Sequence, residues 1–256
     1  MADSEGRFVW YELTTTDAAA AKRFYPPITG WGTQPFGGGS SYEMWSINGA
    51  PLGGIAALND EQKERGIGPH WLPYISVSDV DAKAKQTEKL GGKVIYPPTD
   101  IPNAGRFAIL ADPQGVSIGI YAPTGGDGGT DDFSPKVGEF SWHELLTTDH
   151  NAAFDFYHQL VGWEKQQEFD MGPMGIYQMY GKNGQMYGGM FTRSPEMPPP
   201  MWWCYVRIND VNDAVEAVKK GGGQLLNGPM EVPGGDWIAQ FADPQGARFA
   251  VHQKKA

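Results

Sequence analysis

Two glutamates occupy the same place in two nearly identical phrases, FVWYELTTTD at Phe8 to Asp17 and FSWHELLTTD at Phe140 to Asp149. Side chains alternate along a strand, so Glu12 and Glu144 share a face with Trp10 and Trp142, two residues before them. Burial among indole rings disfavours the charged carboxylate and raises its pKa, and a glutamate tuned in that way can move protons near neutral pH. The architectural reading of the same residues is that each glutamate accepts hydrogen bonds that fix its strand. Arg207, Arg248 and His252 add positive groups near the second phrase's half of the chain. Guanidinium presents paired donors, so together these three would clamp a carboxylate or an oxyanion, the alternative being a solvated surface role.

Other chemistry-bearing residues are sparse. Cys204 lies between Trp203 and Tyr205, where it reads as a buried structural thiol. The five histidines, His70, His143, His150, His158 and His252, show no close metal-ligand spacing. His143 adjoins Glu144, but alternation sends adjacent residues to opposite faces, so it reads as structural. The runs FGGGSSY and GGDGGT lack the strand and helix context of a dinucleotide site and the lysine of a phosphate loop. They read as flexible rims. MPPPMWW reads as an entry into a strand, and Met171, Met174, Met179, Met186 and Met190 read as adaptable apolar lining.

The elements that hold these residues repeat. Trp10, Tyr25 and Trp31 recur as Trp142, Tyr157 and Trp163 at an offset of 132, Gly54 recurs as Gly189 at 135, and Asp79 and Asp112 recur as Asp210 and Asp243 at 131. The pentapeptide ADPQG stands at Ala111 to Gly115 and again at Ala242 to Gly246, and reads as a turn. The glycine- and aspartate-rich stretch between the copies reads as a linker with a boundary near Gly128, giving domains over 5–123 and 137–254 joined by 124–136. Each copy divides again. An alternating strand leads into an aspartate that caps a helix, at Asp17, Asp79, Asp149 and Asp210, and strand-like segments follow. The spacing predicts that the first helix, DAAAAKRFY, is stopped by Pro26 and Pro27. The class implied is α+β, with antiparallel-rich sheets carrying helices on one face.

Composition narrows the partners. The chain has 256 residues with a net charge of −10 and no basic cluster longer than a pair, so its field repels nucleic acid. No apolar stretch approaches the roughly 20 residues that span a bilayer, and MADSEGRF lacks the layout of a signal peptide. The expectation is a cytoplasmic protein with no membrane partner.

The succession Thr-Thr-Asp, Phe-Tyr, Gly-Trp, Gly-Gly, then Asp-Val, Gly-Gly and Asp-Pro-Gln-Gly, present in both copies, resembles the vicinal oxygen chelate superfamily of glyoxalase I, bleomycin-resistance proteins and extradiol dioxygenases. That resemblance implies paired βαβββ modules forming an open, U-shaped, mostly antiparallel sheet around a small-molecule ligand. It also implies a monomer with an internal pseudo-dimer, or a homodimer. Relatives that use a divalent metal draw ligands from positions that correspond here to Trp10, Leu72, Trp142, Trp203, Gly119 and Ala250, and to residues near Ile55 and Met190. Apolar side chains cannot ligate a cation, so the expectation is a site without the metal cofactor, the alternative being a rearranged divalent-metal site. The register of the same strands puts Trp10, Glu12, Tyr74 and Tyr121 on the ligand face in the first copy. In the second it puts Trp142, Glu144, Trp203, Tyr205, Arg207, Arg248 and His252 there, making the second copy the expected functional site with Glu144 as acid or base. Three activities fit this reading: binding and conversion of an apolar or aromatic carbonyl metabolite, a metal-dependent lyase, isomerase or oxygenase, and sequestration of a ligand without turnover.

Overall fold

The structure, a computed structural model, describes residues 4–37, 42–125 and 134–255. The boundary near Gly128, most of the linker and part of the FGGGSSY run lie outside the described residues.

Four modules of the expected kind follow one another. The first comprises β1 (Phe8–Thr15), α1 (Ala18–Phe24), α2 (Pro26–Thr29), β2 (Gly32–Pro35), β3 (Glu43–Ile47), β4 (Ala50–Ala57) and α3 (Asp60–Glu64). The second holds β5 (His70–Ser76), α4 (Val80–Lys89), β6 (Lys93–Ile101), β7 (Gly105–Ala111) and β8 (Ser117–Pro123). In the second repeat the corresponding elements are β9 (Phe140–Thr147), α5 (His150–Val161), β10 (Glu164–Asp170), β11 (Ile176–Lys182) and β12 (Gln185–Thr192). They are followed by β13 (Met201–Ile208), α6 (Val211–Lys220), β14 (Gln224–Glu231), β15 (Trp237–Ala242) and β16 (Arg248–Gln253). Asp17, Asp79, Asp149 and Asp210 each cap the helix that follows by accepting a first-turn backbone N–H. Pro26 and Pro27 do not simply end the first helix. They open α2, because a proline in the first helical turn lacks only an N–H that would be unbonded there anyway.

The strands form two mixed eight-stranded sheets, ordered β2-β3-β4-β1-β5-β8-β7-β6 and β10-β11-β12-β9-β13-β16-β15-β14. In every module the last strand returns parallel to the first (β4 to β1, β8 to β5, β12 to β9 and β16 to β13). The hairpins between them are antiparallel.

The compact units of the chain are not the sequence repeats. One unit consists of Met1–Val9, Pro73–Phe133 and His143–Trp202, the other of Trp10–Leu72, Ser134–Trp142 and Trp203–Ala256. Each therefore joins one module of the first repeat to one module of the second. In the first unit the buried rings of Tyr157, Trp163, Tyr180 and Trp202 cluster, Trp163 donates its indole N–H to the Gly6 carbonyl at 2.7 Å, and Lys83 pairs with Glu5 at 2.6 Å. In the second, Tyr25, Trp31, Trp45 and Trp71 cluster, with Trp31 donating to the Gly138 carbonyl at 2.6 Å.

The two ADPQG turns serve these cores. One oxygen of Asp112 accepts the N–H groups of Gln114 and Val116, and one of Asp243 accepts those of Gln245 and Ala247. The other oxygen reaches a tyrosine from the opposite repeat: Tyr157 donates to Asp112 at 3.4 Å in the first unit, and Tyr25 to Asp243 at 3.0 Å in the second. A buried carboxylate needs such donors, since an unpartnered one is expensive in an apolar interior.

Candidate functional site

Glu12 lies on β1 and accepts a hydrogen bond from the Tyr42 hydroxyl at 2.8 Å. The Trp10 indole N–H reaches the same hydroxyl at 3.4 Å. Burial pushes the Glu12 carboxyl above the usual carboxylate range, and the Tyr42 hydrogen bond opposes that rise. Burial, and then the neighbouring Glu12 charge, push the Tyr42 phenol well up, so it is a neutral donor. The β1–β4 register sets Glu12 opposite Gly54 and Thr14 opposite Ala56, so these four side-chain positions share a face. Gly54 is glycine for a steric reason: a Cβ there would sit 1.6 Å from the Tyr42 hydroxyl oxygen. Met44, opposite Gly54 on β3, shares that face, and Phe36 packs its ring edge-on against Tyr42 at 6.1 Å.

The second repeat builds the same constellation, in the first compact unit. Tyr177 donates to Glu144 at 3.0 Å, Glu144 stands opposite Gly189, and a Cβ on Gly189 would come within 2.0 Å of the Tyr177 ring. Met179 pairs with Gly189 as Met44 does with Gly54, and Phe169 stands opposite Tyr177. Two positions differ. Leu146 and Phe191 replace Thr14 and Ala56, and the Phe191 ring lies 5.8 Å from that of Tyr177. Glu144 is the more enclosed carboxylate, 9% exposed, while Glu12 is half-buried.

Of these partners only Met179 is among the residues singled out in the sequence, as apolar lining; the tyrosines, the phenylalanines and Met44 are not. A signal exists: Tyr-x-Met stands at Tyr42 to Met44 and Tyr177 to Met179, at the same offset of 135 as Gly54 and Gly189.

The remaining expected residues are placed as follows. Glu144 falls in the first compact unit, whereas Trp142, Trp203, Tyr205, Arg207, Arg248 and His252 fall in the second. The His252 ring is held between Ser141 Oγ at 2.9 Å and Asp236 Oδ2 at 2.8 Å. Arg207 donates to the Pro135 carbonyl at 2.5 Å, tying β13 to the chain that enters β9. Arg248 is half-buried at the start of β16, Trp142 is half-buried on β9, and Trp203 is buried on β13. Tyr205 is buried and accepts a hydrogen bond from the Gln240 side chain at 2.8 Å. In the first unit, Tyr74 is buried with its ring in the space that a side chain at Gly119 would need, and Tyr121 donates to the Ala104 carbonyl at 2.7 Å. Burial raises the Tyr121 phenol, and it also raises the Cys204 thiol, which is fully enclosed and inert. His143 is buried, stacks on Phe8 at 3.7 Å and contacts the Tyr187 carbonyl through Nδ1 at 2.9 Å. Burial pulls it down to about 3, so it is a neutral structural residue.

The chain matches the family described as the Glyoxalase/Bleomycin resistance protein/Dioxygenase superfamily over residues 7–120 and 139–251, one match per repeat. It belongs to that superfamily. The protein CFP32 of Mycobacterium tuberculosis (strain CDC 1551 / Oshkosh), whose name classes it with the glyoxylases, is 34% identical over 247 residues, covering 94% of this chain and 92% of CFP32. The anthracycline biosynthesis protein DnrV of Streptomyces peucetius is 29% identical over 262 residues, covering 96% and 92%. Among solved structures, the Mn(II)-bound glyoxalase of Novosphingobium aromaticivorans superimposes with a TM-score of 0.64 at 18% identity, covering 98% of this chain and 82% of that one. The 2,2',3-trihydroxybiphenyl 1,2-dioxygenase of Sphingomonas wittichii strain RW1 gives 0.68 at 14% identity, covering 98% and 91%. At these identities the likeness is one of fold.

A superfamily metal would need three or four oxygen or nitrogen donors converging on it, and the residues at the corresponding positions do not fit it. Register replaces the neighbourhood of Ile55 and Met190 by Gly54 and Gly189 as the positions facing the glutamates; Ile55 and Met190 point into the core instead. The side-chain space at both glycines is taken by a tyrosine, and at Gly119 by Tyr74. Trp10, Leu72, Trp142, Trp203 and Ala250 offer no ligand atom to a hard cation. Among the described residues no group of three or more His, Cys, Asp or Glu is placed to hold a metal ion, and no helix is long and apolar enough to cross a membrane.

Proposed function

We propose that this chain binds a small aromatic or apolar molecule carrying a carbonyl or hydroxyl group, and transfers a proton to or from it through Glu12 or Glu144, without the divalent metal of its metal-dependent relatives. One observation carries the reading: on equivalent faces of both repeats, a glutamate, a tyrosine hydroxyl bonded to it and a glycine that makes room for the phenol come together. Aromatic walls with few polar groups suit an apolar ligand, and in the first repeat the Tyr42 hydroxyl that orients Glu12 occupies one carboxylate oxygen, leaving the other for a substrate proton. A relative named for glyoxylase chemistry and another named for anthracycline biosynthesis are in keeping with carbonyl and aromatic substrates. The proposal places the activity in the cytoplasm, in keeping with the single buried thiol.

The test is metal analysis of protein purified without chelator, combined with a thermal-shift screen of aromatic aldehydes, ketones and phenols with and without EDTA. Less than stoichiometric metal and midpoint shifts that survive EDTA are expected. Stoichiometric manganese, zinc, nickel or iron, lost together with ligand binding on chelation, would sink the reading. Ligand recovered unchanged, at an affinity that Glu→Gln variants keep, would refute proton transfer and leave a sequestering protein.

A further inference from the structure

We infer that the Glu12 site, on the reading just given, takes a ligand that carries, besides its carbonyl or hydroxyl, a protonated amine on its aromatic or apolar body. The Glu12 carboxylate is bonded to one neutral donor, the Tyr42 hydroxyl, and among the described residues no lysine, arginine or histidine pairs with it. Lys22 is committed to Glu43 at 2.6 Å, whose position on β3 points to the opposite face from Tyr42 and Met44. A carboxylate withdrawn from water without a cation is the group most improved by a ligand that supplies one.

Its surroundings suit an organic cation. Trp10 lies two residues from Glu12 on the same face, Tyr42 bonds to both, and Phe36 packs against Tyr42 while keeping 38% of its surface exposed. Aromatic faces attract a cation and tolerate an apolar body. The net charge of −10 adds a general attraction for positive ligands. Room is the further distinction between the repeats. Thr14 and Ala56 pair on this face where the second repeat sets Leu146 against Phe191, so the first repeat carries the smaller side chains beside its glutamate. On this inference the first copy, and not the second, is the half that takes the amine.

The test is calorimetric titration of the full chain at pH 7 with 2-naphthylmethylamine and its neutral isostere 2-naphthylmethanol. The amine is expected to bind about tenfold more tightly. Glu12→Gln should abolish the preference, so that amine and alcohol bind that variant within about twofold of each other, and Ala56→Phe should weaken both by about tenfold. Glu43→Gln, on the opposite face, should leave the preference intact and controls for a general loss of negative charge. Equal affinities for the two probes in the natural chain, or an amine preference that survives Glu12→Gln, would overturn the inference. Alcohol binding without amine preference removes this inference alone; failure of both probes to bind removes the aromatic site as well.

Discussion

Gly54→Ala is the sharpest probe of the constellation, because its effect should change sign with one other residue. Gly54 does not adopt a positive φ, so its backbone accepts alanine without strain, and in an unhindered strand that exchange stabilises by about 0.5–1 kcal/mol. Here the new methyl carbon would lie 1.6 Å from the Tyr42 hydroxyl oxygen and 2.4 Å from the ring carbon bearing it, so the phenol must leave. Overpacking of this kind costs about 1–3 kcal/mol, and loss of the Tyr42 to Glu12 hydrogen bond roughly 1–3 more if the carboxylate finds no new donor. We expect net destabilisation of about 1–5 kcal/mol in the natural background, and stabilisation of about 0.5–1 kcal/mol when Tyr42 is already alanine. The assay is urea unfolding of the four proteins of the double-mutant cycle, with thermal midpoints moving about 2–4 °C per kcal/mol. Gly53→Ala is the contrast, since its Cβ would meet the backbone oxygen of Tyr11 at 2.2 Å and no side-chain change at Tyr42 relieves it. Equal costs of Gly54→Ala with and without the Tyr42 ring would show that the glycine serves something other than the phenol.

Two further results are expected from the same measurements. Tyr25→Phe should cost about 2–3 kcal/mol and Tyr157→Phe about 1–2, because the Tyr25 hydroxyl donates to Asp243 at 3.0 Å and accepts from Trp71 at 2.9 Å, whereas the Tyr157 hydroxyl, which also interacts with Trp202, reaches Asp112 only at 3.4 Å; the reverse order in urea would contradict these geometries. Burial raises the Asp112 carboxyl to about 6, above its unfolded value, and lowers His143 to about 3, below its own. Asp112 therefore adds stability that is complete below about pH 4 and lost as pH rises through 6, while His143 adds stability present above about pH 6.5 and lost as pH falls toward 3. On going from pH 7.5 to 5, the natural chain should gain on Asp112→Asn and lose ground to His143→Gln, and urea midpoints moving in the opposite directions would refute the assignment.

Much of the fold is legible because its signals are local. Capping aspartates, alternating strands and the ADPQG turns each act within a few residues, and repetition of the large aromatics at fixed offsets exposes the duplication. Glu12 and Glu144 are legible for the same reason, since alternation depends only on sequence parity. Their partners are not, because Tyr42 and Tyr177 arrive from a different strand through sheet register, and the glycines beneath them carry no chemistry to attract attention. Long-range polar ties fare worst. That His252 is taken by Ser141 and Asp236, or Arg207 by Pro135, follows from the meeting of distant segments, and a list of cations cannot distinguish a tied one from an available one.

The composition of the compact units has a consequence for how such a chain can change over generations. A polypeptide carrying only one repeat would hold each module without its packing partner and would need a second copy to supply it, so that every substitution would appear twice in the assembly. Joining the copies in one chain removes that constraint. Thr14 and Ala56 beside one glutamate can then differ from Leu146 and Phe191 beside the other, and each copy of the site can change without its twin.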